Sequence, residues 1–223
     1  MKNRYAVRFY KDGNIRYISH LDLLRLFKRS FKRAGIRLQY SQGFNPHPKM
    51  SFAQPLSLGY TSSGEYLEFE TAETCSPDMI VEKLNSVMPE GIGILACEEL
   101  PAAGKSLAAA TESADYEIII PVENRPKPEI TGLLEEYMSR DQIKIFKRQK
   151  KSGKDIEIDI KPLIHHISGE VDDNNILITA RLAAGSMANL SPEFVLTTFC
   201  DFAGISYDRT KISIKRTGIH LNN

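Results

Sequence analysis

The residues with the most chemical potential crowd into the first fifty positions of this chain. Five cations, Arg25, Lys28, Arg29, Lys32 and Arg33, fall within one short stretch. They lead into YSQGFNPHPKMSF (Tyr40–Phe52), which offers Asn45, His47 and Lys49 as donors and Tyr40 and Phe44 as flat apolar faces. Cations hold phosphates and aromatic rings stack unpaired bases, so the combination suits single-stranded RNA. The five cations are the candidate phosphate contacts. His20, Asn45, His47 and Lys49 are the candidates for shaping a specific pocket. His20 and His47 are also the candidate catalytic groups, as general acid or base. His20 would open a helix, where the positive end of the dipole favours an uncharged ring. A plainer reading stands beside each: His20 as a surface residue next to a cap, and Tyr40–Phe52 as a crossover loop that sends Phe44 and Phe52 into the core.

The charge distribution supports the first reading. Net charge is only +1 over 223 residues, but residues 1–50 hold 12 Lys/Arg against 2 Asp/Glu, and the remainder is acidic. A basic surface on an acidic body fits a polyanionic partner. The competing explanation is that the two halves pack together and neutralise each other. With 42% hydrophobic and 26% charged residues the composition is that of a soluble globular protein. No apolar run approaches the roughly 18–20 residues of a membrane span, and the charged N-terminus lacks a signal peptide's apolar centre. The expectation is a cytoplasmic protein. Cys75, Cys97 and Cys200 are odd in number and far apart, which argues against a disulfide framework or a metal cluster and for buried thiols.

The elements that must position these residues can be read from periodicity. RYAVRFYK alternates, with Val7 and Phe9 on one face and Arg8 and Tyr10 on the other, and predicts a strand. Ser19 followed by Asp22 predicts a capped helix start, and Gly35 a helix stop. Within that helix the apolar stripe is Leu21, Leu24, Phe27 and Phe31, extended by Leu23 and Ala34, which leaves the five cations on the other face. Asn45-Pro46-His47-Pro48 excludes helix and Gly43 permits a bend, so the loop is stiff. Ser51–Leu58 reads as a strand interrupted by Pro55, Thr61–Gly64 as a turn, EYLEFE as a strand, Ser76–Met88 as a helix and residues 91–99 as a strand. The order is β-α-β-β-α-β.

Residues 101–114 are small and poor in aromatics, and read as a linker. The order then repeats: a strand at DYEIIIPV, a helix over 129–138, a hairpin around Ser152-Gly153, a strand over 175–182, a helix from Ser191-Pro192 to Gly204, and a last strand at KISIKRT. The predicted fold is α+β, two ferredoxin-like (βαββαβ) halves packed side by side: residues 1–100, a linker over 101–114, and 115–223 with the extra hairpin. KRQKKSGK (147–154) would place a second basic cluster at the hairpin tip. GSMANLSPE (185–193), ahead of a helix N-terminus, could hold an anion. His165 and His166 are adjacent and poorly spaced for a shared metal, and no cofactor motif is visible.

The stretch RYISHLDLLRLFKRSFKRAGIRLQYSQGFNPHPKMSFAQPLSLGYTSSGEYLEFE (Arg16–Glu70) resembles the signature of the radical-SAM-linked protein family, an uncharacterised bacterial domain found beside, or fused to, cobalamin-binding-type radical SAM proteins. Ser-His-Leu-Asp and Gly-Phe-Asn-Pro-His-Pro carry the resemblance, which continues through DYEIIIP and IDIKPLI to GSMANLSPEFVL. It implies a radical SAM protein as partner. This chain lacks that partner's three-cysteine cluster motif and would be the stand-alone form. The layout is also similar to RAMP-type CRISPR RNA-processing endoribonucleases, although KRTGIHL has one glycine where those enzymes carry a glycine-rich loop. The expected function is an RNA-binding accessory that presents a structured RNA to a radical SAM modifying enzyme. The alternatives are a protein-interaction subunit of that enzyme without RNA contact, and an RNA-processing enzyme using His20.

Overall fold

The computed structural model describes residues 3–122, 129–149, 153–172 and 174–222. The protein is α+β, with helices on a large, mostly antiparallel sheet. The chain forms two compact units, one of residues 1–112 with 216–223 and one of residues 113–215.

Unit 1 begins with β1 (Asn3–Lys11), followed by a 3-10 turn (Gly13–Tyr17) and α1 (His20–Arg33). Then come β2 (Met50–Phe52), β3 (Thr61–Thr71), α2 (Pro77–Asn85), β4 (Ile92–Leu100) and α3 (Leu107–Ala110). β1 lies between β4 and β3, antiparallel to both, with Val7 opposite Leu67 and opposite Cys97. β2 pairs with β3 through Phe52 opposite Leu67. The alternation of β1 works as the sequence predicts: Val7 and Phe9 are buried, and Arg8 and Tyr10 are exposed. They meet Leu23, Phe27 and Phe31 of α1 and Ile80 and Leu84 of α2 in one core. Ala6, Ala53, Leu107 and Ile219 form a smaller cluster.

Three local expectations change. Thr61–Gly64 is not a turn but the opening of β3; a register shift between Phe9 and Lys11 accommodates it, and Ser62 Oγ accepts from Gly64 N at 3.2 Å. The strand expected over 51–58 stops at Phe52, because Pro55 has no N–H to give a ladder. The carbonyls of Gln54 and Pro55 instead accept from Arg216. Residues 101–114, read as a linker, contain α3 and the first residues of β5 (Thr111–Pro121). Ser106 caps α3 at Ala109 N, and Leu107 N donates to Glu68.

Unit 2 holds the rest of β5, α4 (Ile130–Ser139), the hairpin β6 (Lys144–Arg148) and β7 (Asp155–Asp159), β8 (Ile164–Asp172), β9 (Asn175–Ala183) and α5 (Pro192–Ala203). It also holds the first residues of β10 (Ser213–Leu221). β9 lies between β5 and β8, antiparallel to both. Tyr137 is buried edge-on against Phe199, with its hydroxyl 2.7 Å from Thr198 Oγ1. α5 ends at Gly204, left-handed at φ 65°, as its sequence predicts. β8 has no counterpart in the periodicity reading. The chain leaves unit 1 at Ser113 and returns at Arg216, so the C-terminal part of β10 belongs to unit 1.

Candidate nucleic-acid interface

Both ends of α1 are fixed by local chemistry. Ser19 Oγ accepts from Asp22 N at 3.1 Å and donates to Asp22 Oδ2 at 2.7 Å. Asp22 also receives Arg25 at 2.9 Å. The Ser19 hydroxyl first, and Arg25 second, hold the Asp22 carboxyl below the usual carboxylate range. At the other end Gly35 adopts φ 71°, Gly35 N donates to Lys32 O and Ile36 N to Phe31 O. These two bonds form a Schellman motif, with Ile36 turning back into the core.

The helix buries Leu23, Phe27, Ser30 and Phe31. Leu21, expected in the stripe, is 61% exposed, so the buried face is narrower than the count of leucines suggests. All five cations are exposed. Arg25 has Asp22 as its partner; among the described residues Lys28, Arg29, Lys32 and Arg33 have no ion pair.

The segment after the helix is tied to the end of β3. Leu38 bridges Thr71, Gln39 N donates to Glu70 O, and Lys49 N donates to Gln39 O. Tyr40 bridges Pro48, which closes residues 41–47 into a small loop. Inside it Ser41 N donates to His47 O and His47 N to Ser41 Oγ. His47 Nδ1 lies 3.0 Å from Ser41 Oγ and 3.4 Å from the Asn45 carbonyl, which leaves Nε2 as the outward ring nitrogen. Gly43 at φ 126° makes the bend, and Phe44 beside it is 112% exposed. Of the two rings the crossover reading sends inward, Phe52 is buried and Phe44 is not.

The candidate residues therefore differ in circumstance. Lys28, Arg29, Lys32 and Arg33 are exposed on a helix capped at both ends and make no ion pair among the described residues, and Asn45 and His47 sit on the exposed loop. Lys49 is half-buried and its ammonium donates to Glu70 at 2.8 Å, so its charge is neutralised within the fold. His20 is partly exposed, and its ring packs edge-on against Phe52 at 5.3 Å in a group with Phe9 and Phe27. No contact among the described residues joins His20 to His47, and neither has a carboxylate partner.

One feature escaped the sequence reading. Lys11, Glu65 and Arg216 are each buried to within 2%. Arg216 Nε donates to Glu65 Oε1 at 2.8 Å and Nη2 to Glu65 Oε2, while Lys11 Nζ donates to the Arg16 carbonyl. Burial pushes the Lys11 ammonium down from its usual value against the pull of Glu65, and Arg216 adds a smaller push in the same direction as burial. The signal lay in strand parity: Lys11 shares the face of Val7 and Phe9, Glu65 that of Leu67 and Phe69, and Arg216 that of Ile212 and Ile214.

Elsewhere the candidates are quieter. Partial or full burial pushes the Cys97 and Cys200 thiols up to about 12, but of the three expected buried thiols only Cys200 is fully buried; Cys75 and Cys97 are partly exposed. His165 and His166 are exposed at a register shift in β8. Among the described residues no cluster could hold a metal. The start of α5 already carries Glu193, paired with Arg209. Of the basic hairpin tip, Lys147 and Arg148 are exposed, whereas Lys150, Lys151 and Ser152 lie outside the described residues. Among those residues no helix is long and apolar enough to cross a membrane.

Comparison with known proteins bears on this arrangement at the level of family and fold. The profile of DUF2344, described as an uncharacterised protein conserved in bacteria, matches residues 4–192. No curated protein matches the sequence. Among solved structures, a chain from a Cbf5-Nop10-Gar1 complex superposes with a TM-score of 0.52 at 10% identity, over 96% of this chain and 48% of that one. The present chain thus spans about half the length of that neighbour. An unknown protein from Galdieria sulphuraria matches over both full lengths at 12% identity, with a TM-score of only 0.27.

Proposed function

The chain belongs to the bacterial DUF2344 family, and we propose that it is a cytoplasmic RNA-binding accessory protein that presents a structured RNA to a radical SAM modifying enzyme. The observation that carries the RNA part is the free basic face of α1 beside a closed, aromatic-tipped loop. Among the described residues Lys28, Arg29, Lys32 and Arg33 make no ion pair, on a helix capped at both ends. A solvated helix face ordinarily mixes signs; this one is arranged to meet closely spaced phosphates. Phe44 and Tyr40 add ring surface within the same short segment. The radical SAM partner rests on the sequence resemblance over Arg16–Glu70. We further read each unit as a ferredoxin-like half, with β6 and β7 inserted in the second.

The test is fluorescence anisotropy with tRNA and ribosomal RNA fragments across a salt series. The expected log–log slope is roughly −0.7 per phosphate contacted in a single strand. Four reversals, Lys28→Glu, Arg29→Glu, Lys32→Glu and Arg33→Glu, should abolish binding at physiological salt. RNA affinity unchanged by those reversals would overturn the proposal.

A second reading has Phe44 in its favour. A fully exposed phenylalanine on a closed loop also suits a protein surface, with the basic face docking acidic residues of the radical SAM protein. Copurification with that protein after nuclease treatment, together with no RNA binding at low salt, would select it.

A further inference from the structure

Where α1 ends, unit 1 contains a cleft of about 550 Å³ between the last turns of the helix and the segment after it. Gly35 turns the chain there, and nothing lies within 4 Å of the position a Cβ would take. The lining includes Lys28, Lys32 and Arg37 and no acidic side chain. Phe31 and Leu38 supply apolar wall, and Tyr40, 43% exposed, contributes an aromatic ring. Arg37 reaches Glu73 at 3.1 Å, but both side chains are at least 70% exposed. A pair so solvated holds its partners weakly and can exchange a carboxylate for a phosphate.

Three cations favour an anion, and the apolar wall with its tyrosine favours a flat group attached to it. A nucleotide joins both within one residue's length. We infer that this cleft receives a single nucleotide of an RNA strand, with its phosphate among Lys28, Lys32 and Arg37 and its base against Tyr40. The inference rests on the RNA reading above, and adds to it Arg37 and Tyr40, which that reading does not require. It also sets a direction: a strand running along the α1 face would end its contact with one base turned out of its stack at Gly35–Tyr40.

The experiment uses the full chain, a labelled RNA oligonucleotide and anisotropy over a salt series. Tyr40→Ala should weaken binding about tenfold at every salt concentration, because a stacked base carries no counterion. Its salt slope should stay that of the wild type. Tyr40→Phe, which keeps the ring, should restore affinity. Arg37→Ala should instead reduce the magnitude of the slope by roughly 0.7, the mark of one phosphate. If Tyr40→Ala binds RNA as the wild type does, the cleft assignment falls while the RNA reading stands. If no RNA binds at all, the RNA reading falls, and AMP titration followed by amide shifts of Gly35 and Leu38 decides the cleft. Shifts there would keep a nucleotide site for the free molecule; their absence would remove the cleft assignment as well.

Discussion

α1 and α4 each come after the first strand of their unit, yet they carry opposite charges. α1 has five cations and Asp22, whereas α4 has Glu135, Glu136 and no cation. The clefts beside them differ in the same sense. The one at the end of α1 is lined by three cations and no acid. The larger one at the end of α4, about 960 Å³, mixes Glu136, Asp141 and Asp201 with Arg140 and Lys144. Two helices in equivalent places in their units thus present surfaces of opposite sign, and the RNA reading predicts that only the first meets a polyanion. The segments after the two helices differ as well: a closed loop tipped by Phe44 in unit 1, and a two-stranded hairpin bearing the exposed Phe146 in unit 2. Fold order and surface chemistry vary independently here, as they do whenever function is grafted onto a shared framework.

The contrast can be tested first in the interior. Glu65→Ala leaves Arg216 and Lys11 buried without an anion, and should cost about 3–5 kcal/mol in urea unfolding. The exposed Asp115–Arg181 pair of unit 2 offers the control, and Asp115→Ala should cost about 0–1 kcal/mol. Equal costs would mean that the buried cluster is no special anchor. On the surface, Arg29→Glu with Lys32→Glu should lower RNA affinity at least about tenfold, the loss of two phosphate contacts. Glu135→Lys with Glu136→Lys on α4 should change it little; a similar effect from both pairs would mean that net charge alone governs binding. A smaller effect is expected at the helix start, where Ser19→Ala removes the Asp22 N acceptor and should cost about 1 kcal/mol by thermal or urea unfolding.

One property should not distinguish the units. Cys97 in unit 1 and Cys200 in unit 2 each titrate near 12 when folded, against 9.0 for an unperturbed thiol. Between those values the unfolded chain has released protons that the folded chain retains, so rising pH favours unfolding. Their contribution is fully present below pH 9 and is lost as pH climbs toward 12. The urea midpoint should fall over that range, less steeply in a Cys97→Ala, Cys200→Ala protein. Identical slopes in the two proteins would remove this account.

Much of the scaffold could be read in the sequence because its signals are local. Ser19 and Gly35 bound α1, Ser191 and Gly204 bound α5, and Val7 and Phe9 announce β1. The misses have longer-range causes. β8 escaped because its register shifts between Ile164 and His166, which breaks the alternation. Gly169, which weakens the strand pattern, is there because a Cβ would come within 3.0 Å of Leu134 and Ile130 of α4. Thr61–Gly64 has the composition of a turn but forms an irregular strand opening, where Gly64 lies under the Arg8 guanidinium. The basic face was visible as a run of charges. That Lys49 is committed to Glu70, and that Arg37 joins Lys28 and Lys32 around one cleft, depends on contacts between segments that no single window of sequence contains.

The bond between Glu65 and Arg216 spans 151 positions. A ribosome adding about 5–20 residues per second makes all of unit 2 before the guanidinium that neutralises Glu65 exists. For those seconds the emerging N-terminal segment holds a carboxylate destined for burial without the guanidinium that pairs with it. A chain released after Lys215 should therefore be cut by protease within residues 50–70, and resistance there would show that the segment matures alone. That cut would show that the interior of the N-terminal segment waits for a residue made after all of unit 2.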